Sequence, residues 1–151
     1  MKTVEINDFL TVNDSINQAM RKERESEIKK VLMSVGKFHD YNSDCIVFYP
    51  QNLYNGNEPY KLYFFFKNEL IIGESVDVED SEVFAEVTRL NYKNINKIKL
   101  SRVYSSNFDN ANAIEIVFND GEIIKLDSLK DSSPVKVNSF INKIERIYTM
   151  L

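Results

Sequence analysis

Residues 113–127 read Ala-Ile-Glu-Ile-Val-Phe, then Asn-Asp-Gly-Glu, then Ile-Ile-Lys-Leu-Asp. Two runs rich in β-formers around an Asp-Gly pair predict a β-hairpin. After a polar break, Phe140, Ile141, Ile144, Ile147, Tyr148 and Leu151 recur at helical spacing and predict a C-terminal helix with one apolar face. The two features constrain each other. A bent sheet that ends in such a hairpin leaves one end of its core open, and the helix has an apolar stripe to bury there. With 151 residues, the chain holds one domain with a core and is too short for two ordinary ones.

Upstream, residues 12–37 read as helical. Asn13, Asp14 or Ser15 can cap the start, and Gly36 stands where a helix commonly ends. Ile16, Ala19 and Met20 form one apolar stripe; Ile28, Val31, Leu32 and Val35 form a second. Residues 21–27 between them contain no apolar side chain. They read as a solvated helix segment, with a partner-binding arm, a kink or a break as alternatives. Strands are then expected over residues 45–49, stopping at Pro50, over 60–66, over 69–74 after a Lys67-Asn68 turn, over 82–90 and over 97–101. Residues 51–59 and 105–112 read as loops. Neither face of 82–90 is purely apolar, which suits a sheet edge. In 97–101, Ile98 and Leu100 face in while Lys97 and Lys99 face out. About seven short strands without intervening helices imply antiparallel pairing in an α+β fold.

Three segments carry a family resemblance: Phe66-Lys67-Asn68-Glu69-Leu70-Ile71-Ile72, then Tyr92-Lys93-Asn94-Ile95-Asn96-Lys97-Ile98, then the hairpin with its final helix. On these, residues 44–151 resemble a pleckstrin-homology-like (PH-like) domain of the small bacterial type. The resemblance implies two packed antiparallel sheets capped by the C-terminal helix. It divides the chain into an N-terminal helical extension, residues 1–40, and a β-domain with its helix, residues 41–151. It also implies binding or scaffolding rather than catalysis, which is a fold-level analogy. In eukaryotic relatives, basic residues around the first two strands grip phosphoinositide headgroups. The matching stretch here, residues 51–61, offers only Lys61 and contains Glu58, so phosphoinositide or membrane binding is not expected.

The residues themselves offer little catalytic chemistry. Cys45 is the one cysteine, so no internal disulfide forms, which suits the cytoplasm. The N-terminus lacks the apolar stretch of a signal peptide, and no run approaches a membrane span. His39, beside Asp40 and near Cys45, invites a Cys-His pair, but a cysteine opening an apolar strand is usually a small buried hydrophobe. Glycines are isolated, so there is no phosphate loop, and the acidic stretch 77–82 lacks calcium-loop spacing. No metal or cofactor is expected. The net charge of −4 argues against nucleic acid as a partner. Against that background Lys93, Lys97, Lys99 and Arg102, with Arg89 just before them, form a run without an acidic residue. Their candidate role is to bind an anionic partner. Tyr49, Tyr54, Tyr60 and Tyr63 are candidates for a protein-binding patch, although core positions explain them equally well. The expectation is a cytoplasmic, non-enzymatic module that recognises a protein or peptide. The alternative is a homo-oligomer assembled through the N-terminal helix, with an enzyme a distant third.

Overall fold

A computed structural model describes residues 25–54, 59–77, 83–103, 111–133 and 136–151. Helix α1 spans Glu25–Gly36. Strands β1 (Val47–Gln51), β2 (Lys61–Phe65), β3 (Glu69–Asp77) and β4 (Val83–Asn91) form an antiparallel sheet in that order. Strands β5 (Ile95–Val103), β6 (Ala111–Phe118) and β7 (Ile123–Asp127) form a second, three-stranded antiparallel sheet. Helix α2, Val137–Met150, follows. The architecture is therefore α+β, with antiparallel sheets of four and three strands and a C-terminal helix. The chain changes sheet through a single 3₁₀ turn, Tyr92–Asn94, whose cap Asn91 accepts the Lys93 N–H at 2.9 Å.

The two sheets differ in how many faces they bury. The first is covered on both. One face packs against α1, where Ile28, Val31, Leu32 and Val35 meet Phe48, Leu62, Phe64 and Ile71. The other face supplies Val47, Tyr49, Tyr63, Phe65, Leu70 and Ile72 to the core between the sheets. Two-sided burial explains why β1 and β2 are nearly continuous in apolar residues instead of alternating. The second sheet alternates. Ile114, Ile116, Phe118, Ile124 and Leu126 point into the shared core, and Glu115, Val117, Ile123 and Lys125 point away. Helix α2 closes that core with Phe140, Ile144 and Ile147.

Several details depart from the sequence reading. Pro50 lies within β1, paired with Leu62, and does not end the strand. It is tolerated because β1 is an edge of its sheet. Asn112 belongs to β6, not to the preceding loop. Strand β3 runs to Asp77, three residues beyond the expected end. On α2, Tyr148 is 46% exposed. Successive helical residues lie about 100° apart, so following Ile147 carries Tyr148 off the apolar face. Lys143, in contrast, points inward and is 4% exposed. The expected helical residues 12–24, and the question of a kink within 21–27, lie mostly outside the described residues.

Gly73 has a role its sequence context hides. A Cβ built there would lie 2.8 Å from Val31 Cγ1 and 2.9 Å from Val35 Cγ2. Its missing side chain is what lets α1 approach β3 closely. Gly121 serves the hairpin in a different way, with φ of 93° in open space.

Candidate functional site: the outer face of the three-stranded sheet

The four cations singled out in the sequence do not form one patch. Lys97 and Lys99 are exposed on the outer face of β5, opposite Val117 and Glu115 of β6. Arg102 is an odd number of residues away, so alternation puts it on the same face as Ile98 and Leu100, where it reaches Glu145 of α2 at 3.8 Å. Lys93 sits on the 3₁₀ turn. The fold thus puts Lys97 and Lys99 on one face of β5 and Arg102 on the other, with Lys93 on the turn that precedes the strand. Lys93, Lys97 and Lys99 make no ion pair among the described residues.

Two further cations join them across the sheet. Lys125 of β7 stands in register with Glu115, itself paired with Lys99, and its Nζ lies 3.8 Å from the Glu115 carboxylate. Lys130 follows on the loop after β7. Lys99, Lys125 and Lys130, with Ser101, Glu115 and Asp127, line a cavity of about 360 Å³ on the outer face of this sheet. Sequence reasoning missed Lys125 although its strand alternates cleanly. The missing information was the register that sets β7 two strands from β5.

The floor of the cavity is a buried polar corner. Asp131, 5% exposed, accepts from the Tyr49 hydroxyl at 2.8 Å, from Gln51 Nε2 at 3.2 Å and from the Asp127 N–H at 2.7 Å. Gln51 Nε2 also donates to the Lys125 carbonyl, and its Oε1 accepts from the Tyr63 hydroxyl. This network ties β1 and β2 to β7 and the loop beyond it. Burial raises the Asp131 carboxyl above its ordinary range, against the opposing pull of its donors. Burial first, and then the Asp131 charge, push the Tyr49 and Tyr63 hydroxyls upward. Tyr60 is also buried and Tyr54 half-buried, so the four tyrosines belong to the core and do not form a surface patch.

The remaining candidates are placed elsewhere. Cys45 is buried, donates to the Val47 carbonyl at 3.2 Å, and has its thiol pushed up to about 12 by burial. A thiol so held is a poor nucleophile. Lys143 lies near enough to oppose that shift, and burial in turn lowers its own ammonium to about 8. His39 is half-buried with its ring 5.9 Å from that of Phe66, in the wall of a second cavity of about 580 Å³. Phe38, 75% exposed, stands at the rim of that cavity beside Asp40, Asp44 and Glu69. Among the described residues no group of three His, Cys, Asp or Glu side chains is disposed to hold a metal ion. Most of the acidic stretch 77–82 lies outside the described residues.

No helix among the described residues is long and apolar enough to cross a membrane. No curated protein and no solved structure matches the chain. The sequence model of a protein family of unknown function, DUF3908, matches residues 1–142. With nearly its whole length covered by that match, the chain belongs to the DUF3908 family.

Proposed function

We propose that this chain is a cytoplasmic PH-like binding module that acts by capture rather than catalysis, and that its partner is an acidic, extended segment of another protein. The four-stranded and three-stranded meanders with a C-terminal helix support the PH-like reading. One observation carries the partner assignment: among the described residues β5, nine residues long, pairs with β6 alone, and its outer face presents Lys97 and Lys99 without an ion-pair partner. Helix α2 lies chiefly against β6 and β1 and touches β5 through the Arg102–Glu145 pair. An unpaired edge offers a row of backbone donors and acceptors, and an extended peptide satisfies them by adding a strand. Acidic side chains on alternate residues of that peptide then meet the lysines. The β4 edge is a poorer candidate, since Arg89 there is engaged by Glu69 at 3.8 Å.

Self-association through the N-terminal helix has less support. The apolar stripe of α1 is already buried against its own sheet.

The test is an anisotropy titration of a labelled peptide alternating Val and Glu, run beside a Val/Gln control. Wild type should capture the acidic peptide. Lys97→Glu with Lys99→Glu should weaken capture at least about tenfold, a loss of ~1.4 kcal/mol, with the melting temperature unchanged. Equal capture by wild type and the double variant would remove the reading.

A further inference from the structure

We infer that the cavity between the α1–β1 connection and the β2–β3 turn seats an arginine side chain presented by a partner protein. This cavity, of about 580 Å³, shares no residue with the outer face of β5, so the inference does not rest on strand docking. The Phe66 and His39 rings, with centroids 5.9 Å apart, form part of its wall, and Phe38 stands at its rim. Phe38 is 75% exposed, so covering its ring is favourable.

The charge of the lining has one sign. Three carboxylates, Asp40, Asp44 and Glu69, stand against one lysine, Lys67, which gives a formal charge of −2 with histidine counted neutral. Arg89 reaches Glu69 at 3.8 Å from outside the lining, and crediting it still leaves one negative charge. Asp40 and Asp44 make no ion pair among the described residues. Their turn is held by neutral N–H donors, which leave the charges in place: Asp40 Oδ1 accepts from Ser43 at 3.2 Å, and the Asp40 carbonyl accepts from Asp44 at 2.9 Å. Lys37, also outside the lining, holds its Nζ 5.6 Å from the Phe38 ring centroid and pairs with neither carboxylate. The ring is thus placed to receive a cation. A lysine ammonium is a compact, strongly hydrated point charge. A guanidinium forks its N–H groups onto a carboxylate while its plane stacks on an aromatic face, so it uses both the acidic and the aromatic wall.

Three peptides test the cavity on the full chain: acetyl-Gly-Arg-Gly-amide and its lysine and citrulline counterparts. Each is titrated into isotope-labelled protein at about 0.1 M salt, where screening confines fields to about 10 Å. The readouts are the Phe38 ring signals and the amides of Asp44 and Lys67. The arginine peptide should bind at least about threefold more tightly than the citrulline peptide, which keeps the shape without the charge, and the lysine peptide should fall between them. Asp40→Asn with Asp44→Asn should weaken the arginine peptide at least about threefold, and Phe38→Ala about two- to fivefold, with melting temperatures unchanged. Lys37→Gln removes a competing cation and should tighten binding, while Glu86→Gln on β4 should leave it unchanged. The inference is overturned if the citrulline or lysine peptide binds as tightly as the arginine peptide, if the signals do not move, if the paired Asp→Asn change is silent, or if Lys37→Gln weakens binding. Concentration-dependent shifts of the same signals without any peptide would assign the cavity to a second copy of this chain, and would overturn a different protein as its occupant.

Discussion

The Tyr49 hydroxyl donates to Asp131 Oδ2 at 2.8 Å across 82 positions of sequence, joining the first strand to the loop that follows the last. Because Asp131 also receives the Asp127 N–H and Gln51, its removal leaves three donors without their acceptor. Tyr49→Phe should cost about 1–2 kcal/mol and Asp131→Ala more, with a positive coupling energy in the double-mutant cycle. Chemical denaturation of the four proteins checks this, and additive losses would show that the bond contributes little.

The same carboxyl has a pH signature. Its folded-state pKa is raised, chiefly by burial. The folded state therefore binds the proton more tightly. That stabilising contribution is fully present below the unfolded pKa and is lost as pH rises through the folded value. Wild type should gain stability relative to Asp131→Asn as the pH falls from about 7 to about 4. A relative loss over that range would mean that the donors, not burial, control the group.

Lys143 behaves in the opposite sense. Burial lowers it to about 8, so the folded state disfavours the ammonium. The penalty is fully present below the folded value and is relieved as pH rises towards the unfolded value of about 10.4. Lys143→Met should stabilise the protein by up to about 3 kcal/mol at neutral pH, and the gain should fade by about pH 10. Urea midpoints at the two pH values read the difference directly.

Gly73→Ala should destabilise the chain by about 1–3 kcal/mol, because the new methyl group meets Val31 and Val35 at 2.8 and 2.9 Å. Val31→Ala makes room, so the double variant should recover part of the loss relative to the sum of the two single changes. Thermal melts monitored by circular dichroism separate these outcomes.

Much of the fold was legible because local patterns and the tertiary answer agreed. The Asp-Gly hairpin, the Lys67-Asn68 turn, β4 at a sheet edge and the burial of Phe140, Ile141, Ile144 and Ile147 all follow from spacing and turn chemistry. Contacts between distant segments were not legible. Gly73 carries no mark of the helix that crosses it. Asp131 sits in a polar run that reads as loop, and its acceptor role depends on Tyr49 arriving from another sheet. Lys143 looks like a solvated helical cation until the helix is oriented. The basic run illustrates the same limit: adjacency in sequence grouped Arg102 with Lys97 and Lys99, whereas strand alternation turned it towards Glu145. Lys125, the true neighbour across the sheet, was hidden by register.

Amide hydrogen exchange along β5, with and without the alternating Val/Glu peptide, tests the central claim most directly. Strand addition predicts slowed exchange at every second amide between Ile95 and Val103, those directed away from β6, with β4 and α1 unchanged. Protection confined to β4 or α1, or none on β5 while the peptide is bound, would contradict the account.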